Sequence, residues 1–122
     1  MARLLIVDDD RTLVDLLSQI VTIVGHTPVG AYDGQQALDL VDAQTFDLML
    51  LDLMMPVLDG FETLHRLRSR SKGRDLPVVV VTAMSDPDVD RRVAAAGGNA
   101  CLRKPVSFEA LSAAIETHLH HG

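Results

Sequence analysis

The chain has 122 residues, 48% of them hydrophobic and 23% charged, with a net charge of −6 and a single cysteine, Cys101. This size and balance fit one globular domain over residues 1–122 and exclude a disordered tail or a collagen-like fibre, and one cysteine excludes an internal disulfide framework. The acidic balance disfavours direct nucleic-acid binding by this domain, and aromatics at 3% leave little material for base-stacking platforms.

Five short apolar runs alternate with five helical segments. The first run, Leu4–Val7, is continuously apolar and leads into Asp8-Asp9-Asp10. A helical segment follows, with Leu13, Leu16, Leu17, Ile20 and Val24 as its apolar stripe and Gly25 as its stop. Asp10 or Thr12 is placed to cap it. The second run, Thr27–Ala31, contains Pro28 and suits an edge strand. Gln35 to Ala43 is a short helix with Ala37, Leu38 and Val41 on one side. The third run, Phe46–Leu51, ends at Asp52, after which Pro56 and Asp59-Gly60 read as turn chemistry. Phe61, Leu64 and Leu67 then mark a third helix. The fourth run, Val78–Val81, ends in Thr82-Ala83. A thin stripe of Val89, Val93 and Ala96 follows, closed by Gly97-Gly98. The fifth run, Ala100–Arg103, ends in Lys104-Pro105, and Phe108, Leu111, Ile115 and Leu119 make the last helix. Strands apolar on both faces, alternating with helices, predict an α/β fold of (βα)5 type: a doubly wound, five-stranded parallel sheet with helices on both sides. No apolar run approaches the roughly 20 residues that span a bilayer, and no secretory leader is visible, so the expected setting is cytoplasmic, without membrane attachment.

In such sheets the site lies beyond the carboxyl ends of the strands. There the alternation gathers Asp8, Asp9, Asp52, Thr82 and Lys104 at one edge. Close carboxylates raise one another's pKa unless a cation compensates. All-oxygen ligands favour a hard cation such as Mg²⁺, and a carboxylate beside Mg²⁺ can attack phosphorus to form an acyl phosphate. A lysine and a hydroxyl can hold the remaining phosphoryl oxygens.

The ordered set Leu5-Ile6-Val7-Asp8-Asp9-Asp10, Asp52-Leu53-Met54-Met55-Pro56 with Asp59-Gly60, Thr82-Ala83 and Lys104-Pro105 resembles the response-regulator receiver domain of two-component signalling, over essentially the whole chain. The resemblance implies a flavodoxin-like sheet of order 2-1-3-4-5 and a phosphorylation-dependent switch rather than an enzyme, although one that assists its own phosphorylation and dephosphorylation. Asp52 is then the phosphate acceptor. Asp9 ligates Mg²⁺ directly, Asp8 partly through water, and the backbone carbonyl of Met54 completes the protein's share of the metal shell. Thr82 bonds the phosphoryl group and reports it. Lys104 pairs with the phosphoryl oxygens, and with Asp52 beforehand, next to a cis Lys104–Pro105 peptide. The implied partners are a sensor histidine kinase or phosphotransfer protein, and an effector domain or downstream protein. The fourth helix, fifth strand and fifth helix form the output face, with Arg91, Arg92 and Arg103 as candidate contacts and phosphorylation-dependent homodimerisation as an option.

Two features, at three positions, depart from the family pattern. Cys101 stands where Tyr or Phe is usual, so the switch pair Thr82–Cys101 lacks a ring to swing, and the signal is expected to pass through the fourth helix and its loop. Met54 and Met84 place apolar side chains where a hydrolytic water would be oriented, which predicts slow loss of the phosphoryl group. Three alternatives are weaker. An Asp-nucleophile phosphohydrolase wants a second Asp at position 54. A flavin-binding module wants a phosphate-cradling loop where Asp8-Asp9-Asp10 stands. A degenerate receiver that only docks partners is kept open by Cys101. The basic run Arg66, Arg68, Arg70, Lys72 and Arg74 reads as a solvated helix end and loop, with a docking patch as the other option. His118, His120 and His121 read as a terminal turn rather than a metal site, and His26 and His65 as surface residues.

Overall fold

A computed structural model describes residues 1–119, so His120 and His121 lie outside the described residues. In chain order the elements are β1 (Arg3–Val7), α1 (Arg11–Ile23), β2 (Thr27–Ala31), α2 (Gly34–Ala43), β3 (Leu48–Leu51), α3 (Gly60–Arg68), β4 (Val78–Thr82), α4 (Val89–Ala96), β5 (Ala100–Arg103) and α5 (Phe108–Leu119). All strand pairs are parallel, and the sheet order is β2-β1-β3-β4-β5, as the resemblance implies.

The apolar runs are buried on both faces because successive side chains point to opposite sides of a strand. Leu5 and Val7 of β1, Met49 and Leu51 of β3, and Val78 and Val80 of β4 meet α2, α3 and α4 on one side. Leu4, Ile6, Leu48, Leu50, Val79 and Val81 meet α1 and α5 on the other. The third strand is shorter than the sequence suggests: Phe46 and Asp47 precede it, and the Asp47 amide bonds Arg3 O while its carboxylate takes the Arg3 amide.

Three helices start alike. Asp10, Asp33 and Asp59 are N-caps whose carboxylates accept the amides of Leu13, Gln36 and Glu62 at 3.2, 2.7 and 2.9 Å. The apolar stripe of α1 is rotated from the expected one. Val14, Leu17 and Val21 are buried, whereas Leu16 is 53% exposed. Leu13 and Ile20 pack half-buried against the same cluster, so the buried face is centred on Leu17 and turned toward Val14 and Val21, as a helix with apolar residues on more than one stripe allows. Likewise α5 buries Leu111 and Ile115 and leaves Phe108 exposed.

Arg68 departs from the expected solvated run. It is half-buried, and its guanidinium donates to Gly97 O from Nε and Nη2 at 3.1 and 2.6 Å, and to Gly73 O and Leu76 O from Nη1 at 2.6 and 2.7 Å. It also reaches Asn99 Oδ1, which accepts the Val78 amide. One planar cation thus ties the end of α3 to the α3–β4 connection and to the end of α4. Burial lowers its pKa, and the Asp75 charge opposes that shift. Of the rest of the run, Arg66 is exposed and pairs with Glu62, while Arg70 is half-buried, pairs with Asp42 and keeps a buried Nε without a hydrogen-bond partner. His26 is half-buried, and its Nδ1 accepts the Ala2 amide at 3.1 Å. No helix among the described residues is long and apolar enough to cross a membrane.

Candidate functional site

The parallel ladders run one residue past the strands and fix the site's backbone. Asp8 N donates to Ala31 O at 3.1 Å, Asp52 N to Val7 O at 3.0 Å, and Lys104 N to Thr82 O at 2.9 Å. Residues that follow β1, β3 and β5 are thereby held side by side at the sheet's carboxyl edge, with Thr82 at the end of β4 between them. The Lys104–Pro105 peptide is cis.

One carboxylate oxygen from each of Asp8, Asp9 and Asp52 lies within 4.8 Å of the others. Asp8 and Asp52 are 3% and 4% exposed, while Asp9 is exposed. Both oxygens of Asp8 are engaged: Oδ1 accepts the Asp10 amide at 2.9 Å and Oδ2 accepts Lys104 Nζ at 2.8 Å. Asp52 Oδ1 is buried and makes no hydrogen bond, and Lys104 Nζ stands 3.6 Å from it. The lysine therefore leans to Asp8 more closely than to Asp52, a detail the resemblance did not carry. Burial raises the Asp52 pKa and the Asp8 charge adds to that; Lys104 and the Met54 amide pull the other way, and Asp9 adds a smaller push upward. For Lys104, burial pulls downward, but the hydrogen bond to Asp8 and the charges of Asp52 and Asp8 prevail and raise its pKa. Thr82 is fully buried, and its Oγ1 accepts the Met84 amide at 3.1 Å.

The loop after Asp52 is pressed onto it. Gly60 N donates to Leu53 O at 2.9 Å, and a Cβ on Gly60 would stand 2.4 Å from Asp52 O and 2.5 Å from Leu53 Cα. Only a glycine lets α3 start directly on the acidic residue's own backbone. Within this loop Val57 adopts φ 69°, and its side chain is fully exposed. A β-branched residue is strained in that region. Met54 is 57% exposed at the rim and Met84 is half-buried against the α3–α4 side of the core.

Cys101 is half-buried rather than enclosed. Burial raises its pKa, and the neighbouring Arg103 charge opposes that rise. Its Sγ accepts Arg103 Nη1 at 3.0 Å, and Arg103 reaches on to Asp90. The other two arginines of the expected output face are also paired, Arg91 with Asp88, and Arg92 with Asp86 and over the Phe61 ring.

Of the expected site residues, Asp8, Asp9, Asp52, Thr82 and Lys104 therefore converge at one edge, Met54 stands two residues past Asp52 in the adjoining loop, and Cys101 lies away from the edge on the side facing α4. The roles of Arg68 and of the Arg103–Asp90 pair were not anticipated; an arginine in a basic run and an arginine at a strand end carry no local signal of their distant partners. The donor set suits a hard divalent cation: its side-chain ligands are all carboxylates, and a buried oxygen of Asp52 is left without a hydrogen-bond donor.

Comparison with known proteins decides the family. A model of the response regulator receiver domain matches residues 4–116. The chain belongs to the response regulator receiver domain family. Among curated relatives, this receiver is 41% identical over 119 residues to the response regulator MprA of Mycolicibacterium vanbaalenii, covering 96% of this chain and 50% of that one. The MprA of Mycobacterium tuberculosis H37Ra is 40% identical with the same coverage. The chain thus spans about half the length of the curated relatives it matches. Among solved structures, the Vibrio cholerae chemotaxis protein CheY4 superposes with a TM-score of 0.91 at 29% identity, over 97% of this chain and 98% of that one. The receiver domain of the Pseudomonas aeruginosa sensor histidine kinase PA1611, solved with magnesium coordinated in its active site cleft, gives 0.89 at 25% identity, over 97% of both chains.

Proposed function

We propose that residues 1–122 act as a phosphorylation-dependent signalling switch in which Asp52 accepts a phosphoryl group from a histidine kinase or phosphotransfer protein. The observation that carries this reading is the buried Asp52 carboxylate, with one oxygen free of hydrogen bonds, between two further carboxylates and a lysine. Asp9, Asp52 and the Met54 carbonyl would hold Mg²⁺, and Asp8 would contribute less directly because the Asp10 amide and Lys104 already engage both its oxygens. Magnesium, when bound, supplies the positive charge that lets this acidic edge admit another anion. The magnesium in the PA1611 receiver supports that assignment.

An Asp52 oxygen attacks phosphorus as the phosphorus–nitrogen bond of the donor's phosphohistidine breaks and its electron pair returns to the imidazole ring. Lys104, poised between Asp8 and Asp52, turns to the incoming phosphoryl oxygens. Thr82 leaves the Met84 amide to donate its hydroxyl proton to another of them. That rearrangement reaches the loop before α4 and biases two states of the α4–β5–α5 face, which engages an effector domain, a downstream protein or a second copy. The chain serves as its own catalyst only in the sense of assisting its modification. Met54 and Met84 give a hydrolytic water no hydrogen bond, so the acyl phosphate persists.

The test is intact mass after incubation with acetyl phosphate and Mg²⁺. One added phosphoryl group in the wild type and none in Asp52→Ala supports the reading. Equal incorporation in both refutes it, and none in either leaves the docking-only alternative standing in its place.

A further inference from the structure

Arg103 and Cys101 stand two residues apart on β5, so their side chains leave the same face of the strand. That face is turned toward α4, since Cys101 packs against the cluster that contains Val89 and Val93. The Arg103 guanidinium folds back along it. Nη1 lies 3.0 Å from Cys101 Sγ, and Nη1 and Nη2 lie 3.3 and 3.4 Å from the two carboxylate oxygens of Asp90 on α4. A thiol fills little of this space: a cavity of about 170 Å³ opens between α4 and β5, with Asp90, Val93, Ala94 and Cys101 among its walls.

The two ends of α4 are held differently. Its C-terminus is pinned, because Arg68 donates twice to Gly97 O and fastens it to the α3–β4 connection. At its N-terminus the cap residue Asp88 makes no side-chain cap bond. The preceding loop leaves β4 at Thr82, whose hydroxyl accepts the Met84 amide. Arg92 lies over Phe61 toward α3. Toward β5, α4 is joined by Val89 at its first position, by Val93 in its second half and by the Asp90–Arg103 pair near its N-terminus.

We propose that the Asp90–Arg103 pair is a latch that couples the carboxylate site to α4 in this chain, performing through charge what a ring at position 101 would perform by filling space. The latch rests on the phosphoacceptor reading above. Arg103 precedes Lys104 in the chain, so one short piece of backbone holds α4 with one cation and reaches Asp8 and Asp52 with the next. A phosphoryl group on Asp52 draws Lys104 Nζ from Asp8, which shifts the end of β5. It also draws Thr82 Oγ1 from the Met84 amide, which loosens the loop leading into α4. Both changes move Asp90 and Arg103 apart, so the latch belongs to the unmodified state. Coupling of this kind is reciprocal, and cutting the latch makes the site accept its anion more readily.

Asp90→Asn, Arg103→Gln and the charge reversal Asp90→Arg with Arg103→Asp are compared with the wild type. The two side chains are 68% and 39% exposed, so these changes leave the core intact. Beryllium fluoride with Mg²⁺ is the probe, its affinity is read by calorimetry, and hydrogen exchange reads the α4 amides. Each single variant is expected to bind the probe roughly two- to fivefold more tightly, the range open to an exposed ion pair. Its α4 amides exchange faster without the probe, and the reversal returns both readouts toward wild type. Unchanged affinity in the single variants, or a reversal that behaves like them, overturns the latch. If the wild type does not bind the probe, the phosphoacceptor reading fails instead. Exchange still decides the latch, because α4 amides that exchange alike in wild type and Asp90→Asn show that the pair holds nothing.

Discussion

Replacing Asp52 by asparagine keeps the side-chain shape and removes one negative charge from a buried cluster. Unit charges 4.8 Å apart, the limit of the carboxylate spacing, repel by about 3–4 kcal/mol at an effective dielectric constant of about 20. Asp8 exerts this in full, while the exposed Asp9 is screened to a fraction of it. Lys104 at 3.6 Å returns about 4–5 kcal/mol of attraction on the same scale. These nearly cancel, which leaves the cost of burying the charge, and the Asp52→Asn variant is expected to be more stable by about 1–3 kcal/mol at pH 7 with chelator present. Urea unfolding reads this as a higher midpoint at unchanged slope. The sign of the pH dependence follows from the raised Asp52 pKa. The folded state holds that proton more tightly than the unfolded chain, so the wild-type penalty is absent below the ordinary aspartate range. It grows as pH rises through the raised value and is constant above it. The advantage of asparagine must therefore shrink on acidification. Saturating Mg²⁺ must shrink it too, since the wild type gains about 3 kcal/mol at a hundredfold excess over the dissociation constant and the variant less. A variant less stable than wild type at pH 7 in chelator, or an advantage that widens toward low pH, refutes the electrostatic reasoning.

Val57→Gly is expected to stabilise the protein by about 1–2 kcal/mol in urea unfolding, because glycine accepts φ 69° without a Cβ penalty and the exposed valine side chain buries nothing. Arg68→Met should cost about 2–4 kcal/mol, since it leaves the carbonyls of Gly73, Leu76 and Gly97 without their donor; Arg68→Lys should not restore the loss, as an ammonium cannot reach the same acceptors as a planar fork. Met54→Asn with Met84→Glu should hasten loss of the acyl phosphate on the order of tenfold, followed by the decay of the phosphorylated mass, and an unchanged rate removes the argument that these side chains fail to orient the hydrolytic water.

The sheet and the acidic edge were legible because they depend on short-range patterns. Leu4–Val7 and Leu48–Leu51 are apolar at every position, and Val78–Thr82 at every position but the last, and only a strand covered on both faces needs that. Once strands and helices alternate, topology alone carries Asp8, Asp52, Thr82 and Lys104 to one edge. What was not legible depends on long-range geometry. Arg68 reaches Gly97 across 29 residues, and the cations beside it in sequence, Arg66 and Arg70, carry the same residue type but pair with exposed carboxylates instead. The α1 stripe holds at Leu17 and in part at Leu13 and Ile20, but Val14 and Val21 are buried in place of Leu16, because leucines and valines offer two adjacent apolar faces and only the sheet selects between them. Cys101 was read as a departure from a family pattern, but its consequence lies in Arg103 and Asp90, which meet only when α4 docks on β5.

Locating the phosphoryl group on the chain tests the account most directly. After reaction with acetyl phosphate, borohydride reduces an aspartyl phosphate to homoserine, and peptide mass spectrometry reads the position. Homoserine at residue 52 with Mg²⁺, and none when the cation is chelated, is the predicted result. Homoserine at residue 8 or 9, or equal yield at 52 in chelator, contradicts the claim that a divalent cation opens this acidic edge to an anion.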